Sequence, residues 1–333
     1  MKIGVTYDLR ADYLAMGMSE EDSAEFDAEI TIASLCEALT GLGHQPVRIG
    51  HIKALTERLA AGERWDAVFN ICEGLKGYAR EAQVPALLEA YDIPTVFSDP
   101  LTLALTLDKA WTKRIVRGQG VPTADFTLIE RSSDIAKVNL PYPLFLKPVA
   151  EGSGKGISER SRANNASEMR ATAADLLARF HQPVLVETYL PGREFTVGIT
   201  GTGDGASVLG IMEITATAKG TQSGYSYENK EHWEDRVALS MVEDAEAREA
   251  GEVALAAWKA LRCRDGGRVD IRSDGKAHPH FIEVNPLAGL NPTHSDLCFI
   301  AKFQGLNYQD LIGRIMTSFL QRHPELAVSR AAA

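Results

Sequence analysis

Arg268-Val269-Asp270-Ile271-Arg272-Ser273-Asp274-Gly275-Lys276-Ala277-His278-Pro279-His280-Phe281-Ile282-Glu283-Val284-Asn285-Pro286 reads as a β-hairpin, and its arms carry the most informative side chains of the chain. Both arms alternate apolar and polar residues with the period of a strand, and Ser273-Asp274-Gly275-Lys276 supplies turn chemistry between them. Glu283 and Asn285 are two apart and share a face; Asp270 lies opposite them on the partner arm. Three oxygen donors without Cys or His suit a hard cation such as Mg²⁺, which keeps waters and phosphate oxygens in its shell. A merely solvated hairpin face is the alternative. The apolar residues around the set, and Asn285 running into Pro286, favour a ligand set.

Upstream, Lys147-Pro148-Val149-Ala150-Glu151-Gly152-Ser153-Gly154-Lys155-Gly156-Ile157 is a strand end followed by a glycine-rich turn. Alternate glycines let backbone N–H groups curl around phosphate oxygens, and the lysines add charge. It is not a P-loop, because Gly156 follows Gly154-Lys155 where Ser or Thr is needed, and alone it is ambiguous with an ordinary hairpin loop. Between these two features, Val184 to Tyr189 and Glu194 to Thr200 read as strands joined by Leu190-Pro191-Gly192-Arg193. Backbone groups of such a linker can meet an adenine edge, and a carboxylate a few residues on can take ribose hydroxyls.

The first hundred residues have a different rhythm. Strands at Ile3–Tyr7, Pro46–Ile49, Trp65–Ile71 and Ile93–Phe97 alternate with helical spacing through Phe26 to Leu42 and Gln83 to Tyr91, the pattern of a small parallel α/β unit. Ser98-Asp99-Pro100 opens a helix that the pattern carries through Lys109 and Lys113 to about Gly118. Beyond it the chain reads as α+β, with long helices only at Ala166–Phe180 and Asp244–Leu261.

Composition bounds the answer. The 333 residues are 45% hydrophobic and 24% charged, which excludes disorder, collagen-like repetition and coiled coil. No run of apolar residues is long enough to span a membrane and no export signal is visible, so a soluble cytoplasmic protein is expected. Four scattered cysteines fit reduced thiols, without a disulfide framework or metal knuckle. The net charge of -10 argues against a nucleic-acid-coating role. Residues 1–100 hold 8 basic and 17 acidic side chains, net -9, and Glu20, Glu21, Asp22, Glu25, Asp27 and Glu29 concentrate six of those acids in one segment.

In this order and spacing the elements resemble the ATP-grasp superfamily, and within it the D-alanine:D-alanine ligase-like family. The carrying residues are Arg80 to Glu89, Leu107-Asp108-Lys109-Ala110-Trp111-Thr112-Lys113, the Lys147 to Gly156 turn, Glu187 to Thr196, Tyr227-Glu228-Asn229-Lys230, Gly267-Arg268-Val269-Asp270 and Glu283-Val284-Asn285-Pro286-Leu287-Ala288-Gly289-Leu290. The resemblance covers roughly residues 26 to 320. It implies an α/β plus α+β architecture: a preATP-grasp parallel-sheet domain at 1–99, a small ATP-grasp subdomain at 100–186, a large one with the metal site at 187–325, and a frayed tail at 326–333.

The resemblance also implies roles. Lys109, Lys147 and Lys230 would hold nucleotide phosphates, Glu187, Thr188 and Leu190 the adenine, and Glu194 the ribose. Asp270, Glu283 and Asn285 would hold two Mg²⁺ ions, with Mn²⁺ as a substitute. Arg268 would sit beside the transferred phosphoryl group, Ser153 in the glycine turn, the Gly289 amide at an oxyanion, and Ser295 at a carboxylate of the second substrate. The expected reaction is ATP-dependent joining of a carboxylate to an amine, both small amino-acid-like molecules, through an acyl phosphate in a homodimeric enzyme. An ATP-grasp phosphotransferase or a catalytically idle nucleotide-binding module is the alternative.

Departures fall at the substrate end. Where dipeptide ligases of this family have a Gly-Gly-x-Ser turn and an acid for the first substrate's amino group, this chain has Tyr7-Asp8-Leu9-Arg10 and an extra stretch from Ala11 to Asp22; Asp27 or Glu29 is the expected acid. Glu231 replaces the tyrosine expected after the loop lysine, and Glu73 replaces a histidine. The segment from Thr217 to Trp233 is the expected lid. These changes bear on which carboxylate and amine are used, and leave ATP activation intact.

Overall fold

A computed structural model of the chain describes residues 1–20, 22–23, 25–152, 154–217 and 236–328. Ser153, Lys230, Glu231 and all but Thr217 of the expected lid lie outside the described residues.

Three sheets follow one another along the chain. The first is parallel, in the order β2-β1-β3-β4, built from β1 (Lys2–Tyr7), β2 (Gln45–Gly50), β3 (Ala67–Ile71) and β4 (Thr95–Val96). All five residues of β3 are buried, as a central parallel strand covered on both faces requires. Ile3, Val5 and Phe69 pack under the helix Glu29–Gly41, while Val68 faces Leu55, Leu59 and Leu88 from the helices Ile52–Ala60 and Gln83–Glu89.

The second sheet is antiparallel, β5-β8-β6-β7, from β5 (Phe126–Ile129), β6 (Leu144–Pro148), β7 (Arg162–Ala163) and β8 (Val184–Thr188), with the helix Ala166–Phe180 packed on it through Met169, Ala173 and Leu176. The third, also antiparallel, runs β11-β10-β9-β12-β13, from β9 (Glu194–Thr200), β10 (Ser207–Ala216), β11 (Val237–Met241), β12 (Gly266–Ser273) and β13 (Pro279–Asn285). The helix Ala245–Ala260 buries Trp258 against it. The helix Asp296–Phe303 also packs on it, where Gly198 and Gly210 leave room for Ile300: a Cβ at Gly210 would lie 2.8 Å from that side chain. That close seat sets the start of the helix, and so Ser295, at the mouth of the cleft described below.

Two expectations need correction. The helix from Pro100 breaks at Asp108, giving Pro100–Leu107 and Lys109–Gly118, because Asp108 takes an extended conformation and its carboxylate accepts the Ala110 and Trp111 amides at 2.9 and 3.0 Å. The Lys109 amide then donates to Val149 O at 3.1 Å, which fastens the second helix to the end of β6. The C-terminal segment also differs. The helix Tyr308–Arg322 belongs to the core of the first sheet, through Leu311, Ile312, Ile315 and Phe319, and Leu326, expected in the frayed tail, packs at the edge of that core. Asp265 joins these parts: fully buried, it accepts the Phe97 amide at 2.8 Å, the Ser318 hydroxyl at 2.9 Å and the Arg322 guanidinium at 2.5 Å.

Candidate active site

The hairpin of β12 and β13 brings four polar side chains to one face. Arg268 is paired with Asn285 and Asp270 with Glu283 in register, so the four form the corners of a patch. From β9, the Thr196 hydroxyl donates to Asp270 Oδ1 at 2.8 Å and fixes that carboxylate. Arg268 Nη1 lies 3.5 Å from Asp270 and 3.4 Å from Asp296. The register slips by one residue after Asp270, leaving Ile282 as an extra residue in β13. Consequently Ile282 and Glu283, adjacent in sequence, both line one pocket, an arrangement that strict alternation does not predict.

Opposite this patch stand lysines from the preceding part of the chain. Lys109, at the start of its helix, donates to Glu151 O at 2.5 Å and lies 3.5 Å from Glu283; Lys147, near the end of β6, lies 3.9 Å from Glu283 and 3.2 Å from Glu187. Lys113, one helical turn beyond Lys109, lies 2.5 Å from Glu187. Burial disfavours the charges of this group, yet Lys113 and Lys147 hold the Glu187 carboxyl below its ordinary value, and Glu187 with Glu283 raises Lys147 above its own. The site therefore presents buried cations already balanced by carboxylates. An incoming polyphosphate would meet charges fixed in place.

The smaller pocket lies between the two antiparallel sheets and is lined by Ala124, Phe145, Ile157, Leu190 and Ile282, with Glu187, Thr188, Glu194 and Arg272 at its polar positions. Apolar walls with polar edges suit a flat heteroaromatic ring. Glu187 contributes its side chain to the lysines, and its backbone sits within β8, between β5 and β6. Thr188 and Tyr189 donate their amides to Asp125 O and Pro143 O, so Leu190 is the first linker residue beyond these contacts. Glu194, at the start of β9, lies 3.4 Å from Arg272 at the same pocket.

The larger cleft, about 460 Å³, continues from Glu283 and Asn285 past Gly289 and Ser295 to the first domain. Gly289 and Ser295 face each other closely: a Cβ on Gly289 would meet Ser295 Oγ at 2.8 Å, and that hydroxyl accepts the Asn291 amide at 2.9 Å. At the far end are Glu25, Asp27, Glu73, Arg80 and Glu81. Glu29 is not among them; it sits exposed on the surface, 2.6 Å from Arg48. Its place at the first helical position turns it outward, whereas Asp27 precedes the helix and bridges to Leu9. Burial pushes the Asp27 carboxyl up to about 7.

Sequence reasoning missed Glu25. Its carboxylate accepts the Gly152 amide at 2.9 Å and pairs with Arg80 at 3.1 Å, tying the glycine turn to the first domain. Burial opposes its ionisation, but Arg80, Lys155 and the Gly152 amide prevail and hold the carboxyl below its ordinary value. The acidic run that contains it was visible; which member faces inward was not. The extra N-terminal stretch is anchored beside it, since buried Tyr13 donates to Asp8 at 2.5 Å while Asp8 accepts the Gly74 amide at 2.9 Å.

Asp270, Glu283 and Asn285 fit a magnesium ion that shares its shell with phosphate oxygens. All three are oxygen donors, and no group of three or more His, Cys, Asp or Glu among the described residues forms a closed protein cage. Mg²⁺ is bound in this partial manner in nucleotide sites, with substrate phosphates and waters completing the octahedron.

The chain is similar to known proteins. The family described as D-ala D-ala ligase C-terminus matches residues 115–317. A D-alanine–D-alanine ligase from Bordetella petrii is 32% identical over 270 residues, 80% of this chain and 78% of the relative. Another from Cupriavidus metallidurans is 32% identical over 278 residues, 82% of this chain and 81% of the relative. The crystal structure of a D-alanine–D-alanine ligase from Bacillus anthracis complexed with ATP aligns with a TM-score of 0.73 over 98% of this chain and 99% of that chain, at 21% identity. The VanG D-Ala:D-Ser ligase from Enterococcus faecalis aligns with a TM-score of 0.72 over 96% and 99%, also at 21% identity. At these identities the structural likeness concerns the fold.

Proposed function

Because this chain belongs to the D-alanine–D-alanine ligase family, with the ATP-grasp fold and the ATP-dependent C–N bond formation of that family, we propose that it joins the carboxylate of one amino-acid-like molecule to the amine of another through an acyl phosphate. The observation that carries this reading is the patch of Arg268, Asp270, Glu283 and Asn285 opposite Lys109 and Lys147, with Glu283 within 3.5 and 3.9 Å of the two lysines and lining both the larger cleft and the smaller pocket. It puts phosphate-binding cations and metal-type oxygens around one point, with room beyond for two small substrates.

In this mechanism the nucleotide ring lies in the pocket of Leu190 and Ile282, with Glu194 at the ribose and Lys109 and Lys147 at the phosphates. Mg²⁺ on Asp270, Glu283 and Asn285, taken as two ions, supplies charge neutralisation of the polyphosphate when bound. The first substrate's carboxylate oxygen attacks the γ-phosphorus, forming an acyl phosphate and releasing ADP. Arg268 faces the oxygens on which charge accumulates. The amine of the second substrate then attacks the acyl carbon, the oxyanion lies towards Arg268 and the Gly289 amide, and phosphate leaves as the amine loses its proton. Ser295, at the entrance of its helix, holds the second substrate's carboxylate. At the far end Asp27 takes the first substrate's ammonium.

Replacement of the family's substrate-end residues by Glu73 and by the anchored N-terminal stretch supports substrates other than two D-alanines. The division of the chain near residues 100 and 187 is supported by the three successive sheets, although the helix Tyr308–Arg322 returns to the first. No described helix is long and apolar enough to cross a membrane, and the four cysteines are unpaired; a cytoplasmic enzyme acting on small molecules is part of the same proposal and rests on the family resemblance. A homodimer is proposed from the family resemblance alone. Phosphate release measured with ATP, Mg²⁺ and panels of D- and L-amino acids tests the reaction: release should require a carboxylate and an amine together, and release independent of both would overturn it.

A further inference from the structure

Two acidic side chains at the far end of the cleft have no part in the reaction above. Glu81, in the short 3₁₀ turn Arg80–Ala82, is only 9% exposed and borders the cleft, yet no described residue gives it a hydrogen bond or ion pair. Glu73, from the turn after β3, borders the same space and likewise has no such partner among the described residues. Arg80 attracts both carboxylates and Lys109 attracts Glu81, but the hydrogen bonds and ion pairs of these cations go to other groups. Arg80 reaches Glu25 at 3.1 Å and Ala150 O at 3.0 Å, and Lys109 reaches Glu151 O and Glu283. Burial and the neighbouring Glu81 and Glu25 drive the Glu73 carboxyl well above its ordinary value.

A buried carboxylate such as Glu81 without a hydrogen-bond or ion-pair partner is costly, and the half-buried carboxylate of Glu73 nearby adds to that cost. Such a pair at the edge of the cleft is relieved when a ligand brings positive charge. That charge does not come from a bare metal ion held by a ring of ligands, because no described group of three or more His, Cys, Asp or Glu is placed to hold one. It comes on a carbon chain. Phe26, Thr106 and Leu107 line the same cleft and give methylene groups a wall.

We propose that the carboxylate substrate carries a second cationic group, an amine or guanidine beyond the ammonium at Asp27, and that Glu73 and Glu81 receive it. The inference rests on the ligase reading and names its first substrate as a diamino or guanidino carboxylic acid. Charge pairing with a desolvated carboxylate makes selection for such a substrate over one of alanine size worth about tenfold or more.

The test is phosphate release with ATP, Mg²⁺ and one fixed amine, comparing alanine with 2,3-diaminopropionate, 2,4-diaminobutyrate, ornithine, lysine and arginine in both chiralities. At least one cationic acid should exceed alanine in kcat/KM by about tenfold, the difference lying mainly in KM. Glu81→Gln and, separately, Glu73→Gln should each lower the ratio of cationic acid to alanine, and Glu81→Lys, which supplies the charge from the protein, should abolish the preference. Alanine used as well as every cationic acid, or a ratio unmoved in both Gln variants, would overturn the assignment while leaving the ligase reading intact. Absence of release with every carboxylate would overturn both.

Discussion

Lys113 Nζ lies 2.5 Å from Glu187 Oε1, and neither side chain has more than a trace of solvent exposure. The pair connects the helix Lys109–Gly118 to β8 and leaves the other oxygen of Glu187 to orient Lys147. Lys113 is thus a positioning residue for Lys147. Lys113→Met leaves the buried carboxylate with a single cation, and breaking a buried pair from one side costs about 3–5 kcal/mol. Urea denaturation should register that loss, and the surviving fold should show a raised KM for ATP as Lys147 is drawn towards Glu187. Unchanged stability would show that Glu187 does not depend on the pair.

Asp270→Asn and Glu283→Gln keep volume and remove the charges that oppose the lysines. With the hairpin backbone intact, thermal unfolding should stay near that of the unaltered protein while kcat falls about a hundredfold or more. A modest decrease in either variant would remove that residue from the proposed metal set.

Asp27 and Glu81 carry a pH signature. Burial raises their carboxyls from 3.8 and 4.5 to about 7, although Arg80 pulls Glu81 the other way. Between the ordinary values and about 7 the folded protein therefore holds protons that the unfolded chain has released. Stability from these groups is present at the acidic end of that window and is lost as pH rises through it. Glu25 and Glu187, with lowered carboxyls, act in the opposite sense and only at more acidic pH. Unfolding free energy measured from pH 5 to pH 7 should fall less steeply in Glu81→Gln than in the unaltered protein; an identical slope would contradict the assignment.

Asp108 caps the helix that carries Lys109. Asp108→Ala should cost about 1 kcal/mol and, by loosening the first turn, raise the KM for ATP more than it lowers kcat. A purely global loss of stability with unaltered ATP dependence would confine Asp108 to a structural role.

The elements with strong local signals were legible in sequence. The 268–286 hairpin showed its period of two and its turn, the first sheet its alternating strands and helices, and Ala166–Phe180 its amphipathic spacing. Asp270, Glu283 and Asn285 could be singled out because the hairpin's alternation puts them on one face, and Lys147 because it ends a strand before a glycine turn; Lys109 was reached through the family resemblance. The break at Asp108 was hidden, since an Asp inside a run of helix formers reads as a surface position until its carboxylate is seen on the next two amides. The slip after Asp270 was hidden as well, because an extra residue in one strand leaves no mark in composition.

Sequence alone determined the succession of strands and helices and the polar face of the 268–286 hairpin, because these depend on periodicity and residue type over short distances. Tertiary structure decided that Glu25 and Asp27 turn inward while Glu29 stays on the surface, that Glu187 serves two lysines, that the last long helix returns to the first sheet, and that Glu73 and Glu81 border one cleft with no hydrogen bond or ion pair from the described residues. Each of those depends on where residues far apart in the chain meet. The energy of a charge is set by what surrounds it in space, and a linear pattern does not contain that.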